Sequence, residues 1–364
     1  MGVTNSTQHI VVASTEPYSG KSAVLLGLVQ SLKQKGISVA YSKPIGTVWH
    51  DEQNGRFTRI EDDLRFLGEA FGLKETEVRS PVLFLDEATV AQRLTGQDQT
   101  DYPQKLKDDL GAIASDITFI EAPKSLWEGS LFNLSAGEIA ATLGAKILLV
   151  IPYHHKLLVD SLLTIYRFLG DRLMGVVINK IPPEALETAE TQIKPFLAQR
   201  GIDVYGLVPA DRILRSVTVR ELVKRLNAEV LCRANRLDLM VESLTIGAMN
   251  VNSALKYFRQ RQNMAVVTGG DRTDLQLAAL ETSTQCLILT GHVAPQEIIL
   301  NRAEDLEIPI LSVDYDTLTT VEIIDQAFNH VRLQEPIKVE VAQTLFQKHF
   351  DFERFLAQMP FPVA

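Results

Sequence analysis

Between the apolar run Ile10-Val11-Val12-Ala13 and a helical pattern opening Ala23-Val24-Leu25-Leu26, the chain carries Ser14-Thr15-Glu16-Pro17-Tyr18-Ser19-Gly20-Lys21-Ser22. A strand that enters a tight turn ending Gly-Lys-Ser, and leaves it as a helix, gathers several backbone N–H groups and one ammonium at a single point. Such a point suits a triphosphate. The strict spacing of a phosphate loop asks for glycine where Thr15 stands, so Gly20 is the one glycine between Ala13 and Lys21. The parts with the clearest mechanism remain. Gly20 lets the backbone approach the phosphates, Lys21 pairs with the β/γ oxygens, and the Ser22 hydroxyl is placed for Mg²⁺. Thr15 and Ser19 line the same cradle. The competing reading is an ordinary strand-to-helix turn with a solvated lysine.

Short apolar runs then alternate with helical patterns, as in a parallel sheet covered on both faces. After Ile10–Ala13 come Ile37–Tyr41, Ile117–Ile120, Lys146–Ile151, Met174–Ile178 and Val204–Val208. The reading is an α/β fold with a P-loop-type parallel sheet. In such sheets ligands collect beyond the carboxyl ends of the strands. Lys43 follows the second run, Glu121 closes the third and Asn179 follows the fifth. Lys43 adds a cation near the phosphates, and Glu121 is an acid placed to serve a Mg²⁺ ion directly or through water. Asp62 and Asp63 offer another carboxylate. Each acid taken alone can equally be a solvated surface charge.

The chain of 364 residues suits two or three domains, and 46% hydrophobic with 22% charged residues describes a folded, soluble chain. No stretch approaches the roughly 18 apolar residues of a membrane span. The first residues lack a basic-then-apolar export signal, and Gly2 with Ser6 matches a myristoylation pattern by chance. A formal charge of −9 disfavours nonspecific binding to nucleic acid or anionic membranes. Cys232 and Cys286 have no metal or redox spacing and read as buried thiols of a cytoplasmic protein.

Taken together, the Ser14–Ser22 loop, Lys43-Pro44, the Asp62/Asp63 pair, Glu121 and Asn179 resemble the dethiobiotin synthetase fold, within the P-loop ATPases that include cobyrinic acid a,c-diamide synthase. The resemblance is closer still to the dethiobiotin-synthetase-like region at the N-terminus of long phosphate acetyltransferases. It implies that Lys21 and Ser22 hold phosphate and Mg²⁺, and that Asp63 (or Asp62) and Glu121 complete the metal site. It further implies that Lys43 faces the reacting group, that Asn179 reads the adenine edge, and that the protein is a homodimer binding ATP or a related nucleotide.

The second half carries Ala265-Val266-Val267-Thr268-Gly269-Gly270-Asp271-Arg272-Thr273-Asp274, which with Gly247–Phe258 and the following Leu275–Leu280 resembles the DRTGG domain of the same acetyltransferases. In physical terms Ala265–Thr268 is a strand, Gly269-Gly270 a turn able to take positive φ, and Thr273–Leu280 opens a helix whose free N–H groups suit an anion. Cys286–Gly291 and Ile308–Val313 add strands to a small α/β domain. A nucleotide-like ligand fits beside Gly269, Gly270, Asp271, Arg272 and Thr290; alternatively Asp271 and Arg272 pair with each other and cap the helix.

The expected boundaries are 1–212 for the P-loop domain, 213–335 for linker and DRTGG domain, and 336–364 for a helical tail. Val341, Leu345, Phe346, His349, Phe350, Phe352, Glu353 and Leu356 form a stripe in that tail, read as core packing or as a docking or dimer helix. Seven basic residues from Arg212 to Arg236 read as a solvated helix face or a contact for an acidic partner. Acetyl transfer is not expected, because the segment after 335 is too short for an acetyltransferase catalytic domain. Two functions stand open: a nucleotide-responsive regulatory or partner-binding protein, and an ATP-dependent enzyme activating a carboxylate by phosphoryl transfer with Lys21 and Lys43. Thr15 and Tyr18, where small residues are usual, tilt the reading to the first.

Overall fold

The computed structural model describes residues 7–51, 56–60, 62–331, 333 and 335–359, those from 47 to 63 by their backbone only. It divides into two compact units, Met1–Ala210 with Leu333–Ala364, and Asp211–Arg332.

The first unit is built on a seven-stranded sheet in the order Val204–Pro209, Leu173–Ile181, Lys146–Pro152, Gln8–Ser14, Ile117–Glu121, Val39–Ser42, Val78–Arg79. Every pairing in it is parallel. Val11, Val12 and Ala13 of the central strand are fully buried, which is why the run is apolar at every position instead of alternating. The central strand is flanked by Ile117–Glu121 and Lys146–Pro152, neither of which is its neighbour in sequence. The chain reverses its direction of strand addition there, and a crevice opens at the carboxyl end of the central strand. The Ser14–Ser22 loop occupies it.

All six runs read from the sequence lie in this sheet, and the two-residue edge strand Val78–Arg79 was not legible. A separate three-stranded sheet was likewise unforeseen: Ile45–Asp51 pairs antiparallel with Arg56–Ile60 and parallel with Leu83–Leu85.

The second unit has a five-stranded sheet in the order Glu229–Cys232, Ile310–Ser312, Thr284–Thr290, Met264–Gly269, Ser243–Gly247. Its strands are parallel except Glu229–Cys232, an antiparallel edge. Alternate residues serve two cores. Ala265, Val267, Ile288 and Leu311 pack with Leu222, Ile324 and Phe328, while Val266, Leu287, Leu289 and Ile310 pack with Phe258, Leu275, Ala279 and Ile299. Cys232 and Cys286 are both buried. Arg225, Arg233 and Arg236 are paired with Glu221, Glu304 and Glu307, so part of the basic run is neutralised locally. Among the described residues no helix is long and apolar enough to cross a membrane.

The segment 336–359, expected within a separate tail, groups with the first unit. The helix Pro336–His349 lies on the helix Lys21–Gln34 that follows the loop. A Cβ at Gly27 would come within 2.1 Å of the Phe346 ring, so the missing side chain makes the notch that receives Phe346. Phe346 stacks on Phe350 at 4.2 Å, and Tyr205, Phe350 and Phe355 complete an aromatic cluster against the outer strand. Phe350 also bridges to Gly206 on that strand, and the Asp351 N–H donates to the Tyr205 carbonyl at 2.7 Å. Phe346 and Phe350 of the stripe are therefore core, while Val341, Leu345, His349, Phe352 and Leu356 are half-buried and Glu353 is exposed. Phe346→Ala, which empties a site only 3% exposed, is expected to cost about 3–5 kcal/mol in denaturant unfolding; a cost below about 1 kcal/mol would show that the helix is not part of this core.

Candidate nucleotide site

The loop is shaped by one residue in an unusual conformation and by one brace. Gly20 has φ 98° and ψ 23°, in the left-handed region, and a Cβ there would lie 2.1 Å from Asn179 Nδ2. Both conditions demand glycine. The Asn179 side chain donates from Nδ2 to the Ser19 carbonyl at 2.8 Å and accepts the Lys180 N–H on Oδ1 at 2.8 Å, tying the loop to the fifth strand read from the sequence. Ser19, 1% exposed, donates its hydroxyl to the Glu16 carbonyl at 2.6 Å. Thr15 is half-buried in the first bend. Tyr18 also takes a positive φ, 57°, and its side chain is 41% exposed at the outside of the turn.

The helix Lys21–Gln34 starts without a side-chain cap. Its first-turn N–H groups have no acceptor within the helix, which leaves them for an anion. The Lys21 ammonium, 8% exposed as a residue, donates to Ser14 Oγ at 2.8 Å, and the single Ser14 hydroxyl proton is shared between the carbonyls of Glu16 and Lys124 at 3.0 and 3.2 Å. Burial pulls the Lys21 pKa below its ordinary value; Glu121 opposes that and Lys43 adds to it. A buried ammonium whose acceptor is a neutral hydroxyl gains from any anion brought to it.

Glu121, 6% exposed at the end of its strand, faces Ser22: Ser22 Oγ donates to Glu121 Oε1 at 3.4 Å. The other carboxylate oxygen accepts the Tyr41 hydroxyl at 2.6 Å. Ser22 and Glu121 are thus an all-oxygen pair at the loop, the donor type Mg²⁺ takes. Lys43 is half-buried just past the strand Val39–Ser42. Asp62 and Asp63 start the helix Asp62–Ala70, and their side chains lie outside the described residues. Among the described residues no group of three or more His, Cys, Asp or Glu side chains comes together as a metal site.

In the second unit, neither Gly269 nor Gly270 uses the positive φ that glycine permits. The requirement at Gly270 is space: a Cβ there would lie 2.1 Å from the Val293 carbonyl oxygen. The turn is held from beneath by Gln276, whose Nε2 donates to the Gly269 and Gly270 carbonyls at 2.9 and 3.0 Å. Gln276 is fully buried, and its Oε1 has no hydrogen-bond partner. Arg272 pairs with Asp274, not Asp271, through two bonds of 3.2 Å, and donates to the Met249 carbonyl at 3.1 Å. Those bonds hold the Asp274 carboxyl below its usual range. Asp271 is exposed at the turn, and Thr290 Oγ1 lies 3.0 Å from Thr317 Oγ1.

An AAA domain model matches residues 8–232. The chain belongs to this AAA domain family. A DRTGG domain model matches residues 221–327. The AAA domain here is of the P-loop, dethiobiotin-synthetase-like kind, and together with the DRTGG domain it is similar to the N-terminal region of phosphate acetyltransferases. The phosphate acetyltransferase of Synechocystis sp. is 28% identical over 368 residues, covering 96% of this chain and 51% of that protein. That of Nitratidesulfovibrio vulgaris is 28% identical, covering 95% and 51%. The chain spans about half the length of the curated relatives it matches. Among solved structures, the Aquifex aeolicus MinD cell division protein aligns at 15% identity over 57% of this chain and 84% of that one, with a TM-score of 0.34. The CBS and DRTGG domains of the regulatory region of Clostridium perfringens pyrophosphatase, complexed with diadenosine tetraphosphate, align at 18% identity over 52% and 82%, with a TM-score of 0.28.

Three contacts of the AAA domain were not read from the sequence. In the sequence Tyr41 reads only as part of a strand, although a tyrosine in a fully buried strand needs a partner for its hydroxyl, and that need is a signal of the contact. The Ser14 hydroxyl under Lys21 is another. The third is a pair across the mouth of the loop, His154 Nε2 to Glu16 Oε2 at 3.2 Å, which joins residues far apart in sequence and left no local trace. Tyr41→Phe leaves a buried carboxylate oxygen one donor short and is expected to lower stability by about 1–3 kcal/mol; an unchanged urea midpoint would contradict the contact.

Proposed function

We propose that the AAA domain binds ATP or a related nucleotide with Mg²⁺, and that the chain serves as a nucleotide-responsive regulatory or partner-binding module. The observation that carries this reading is the left-handed Gly20 turn with the buried Lys21 ammonium and the uncapped helix start behind it. In this reading Lys21, Thr15, Ser19, Gly20 and the first-turn amides hold the phosphates. Ser22, Glu121 and Asp63 hold Mg²⁺, which screens phosphate charge when bound. Lys43 lies toward the terminal phosphate. Asn179 braces the loop from the side on which the resemblance puts the adenine.

The DRTGG turn, with Gly269, Gly270, Asp271 and Arg272, receives a second anionic small molecule, and a homodimer relays one state to the other. Similarity to phosphate acetyltransferases supports a partner that is itself an acyl-transferring catalytic domain, in the same or another polypeptide. A cytoplasmic location fits this reading.

One feature favours a second reading, an ATP-dependent enzyme that activates a carboxylate. Lys43 acts electrostatically on Lys21, and two cations at one phosphate site suit charge developing on a transferred phosphoryl group.

Purified protein given Mg²⁺-ATP separates the two. The regulatory reading expects saturable nucleotide binding with ADP release well below ~1 s⁻¹, the low end of ordinary enzyme turnover, with or without carboxylates or diamino acids. Turnover stimulated above that rate by such a substrate would replace it with the enzyme reading.

A further inference from the structure

The C-terminal return of the first unit leaves a cleft of about 690 Å³ beside the outer strand Val204–Pro209, within the range of small-molecule sites. Its floor is formed by the buried Tyr205, Leu207 and Phe350, and the Tyr205 hydroxyl is already spent on the Met174 carbonyl, so the floor is apolar. Its rim carries Lys194 and Lys348, which make no ion pair among the described residues. Of the other rim charges, Arg354 pairs with Asp203 and Asp351 caps the helix Phe352–Ala357, while Glu190 adds one carboxylate to the lining. His349 lines the same cleft. Burial and then Lys348 hold its pKa below the ordinary value, Glu190 opposing.

The backbone has been shaped around this cleft. A five-residue π-helix, Ala189–Ile193, runs into the helix Lys194–Ala198. Pro195 explains it: proline has no N–H to give to the preceding turn and its ring crowds the carbonyl four residues back, which widens the turn. Widened π turns recur at functional sites, and this one bears Glu190 and delivers Lys194 to the rim.

We propose that this cleft is a ligand site separate from the phosphate loop, taking an organic phosphate whose phosphoryl group lies between Lys194 and Lys348 and whose body rests on Tyr205, Leu207 and Phe350. No loop residue lines it. Its occupant would contact the same C-terminal segment whose Phe346 sits in the Gly27 notch of the loop helix, which gives the site a physical connection to the nucleotide domain.

Calorimetry with AMP and ribose 5-phosphate on the full chain tests it, using a Lys21→Ala/Arg272→Ala background that weakens binding at both the phosphate loop and the DRTGG turn. The expected result is a Kd below about 1 mM for at least one probe, weakened roughly tenfold or more by Lys194→Ala/Lys348→Ala and tightened by Glu190→Gln. Thermal melting should be unchanged by these rim substitutions. If that background does not fold, the same two probes are titrated into the wild-type chain and into Lys194→Ala/Lys348→Ala, and the loss of one binding event in the variant is the expected result. Absence of binding by both probes, or equal affinity in the double lysine variant, overturns the proposal.

Discussion

The structure of the first unit turns on a buried ammonium. Lys21 sits at the start of a helix, almost out of water, with a neutral hydroxyl as its acceptor. Burial of a charge on those terms is costly, and its pKa is lowered accordingly. The arrangement persists because everything around it is fixed: Gly20 in the left-handed region, Asn179 gripping the Ser19 carbonyl, and Ser14 anchored to two further carbonyls. The loop is thus held in shape, with the helix start uncapped and its cation retained. An anion delivered there gains a charge that the fold has already desolvated, and needs little reorganisation to do so.

The parallel sheet was legible because its strands are buried on both faces, which makes each a short uninterrupted apolar run. The loop was legible because Gly-Lys-Ser has a mechanism attached to it. What could not be read was whatever depended on partners distant in sequence. Tyr41 becomes meaningful only when its strand is laid beside Ile117–Glu121, and His154 only when its turn reaches Glu16. Val78–Arg79 is too short to leave a pattern. The Gly269-Gly270 turn illustrates a different failure. The residues signalled a need for glycine, but the need arises from the Val293 carbonyl close by and not from a positive φ, and sequence does not distinguish these causes.

The tail shows how a segment separated by a whole domain can still belong to the first fold. Its stripe of phenylalanines is apolar enough to require a cover, and Gly27 on the loop helix provides a notch of the right depth. The P-loop domain is therefore discontinuous, with the DRTGG unit placed between its last strand and its last two helices. Both covalent connections of the DRTGG unit lead into the nucleotide domain, one of them through the helix that rests directly on the loop helix.

The most direct test of the central claim is equilibrium binding of a fluorescent ATP analogue with Mg²⁺ to the wild-type chain and to Lys21→Ala, each verified as folded. Loss of the ammonium is expected to weaken the phosphate contact by at least roughly tenfold, about 1.4 kcal/mol, the scale of one charge-assisted hydrogen bond. Equal affinity in the two proteins would mean that Lys21 and its loop do not hold the nucleotide.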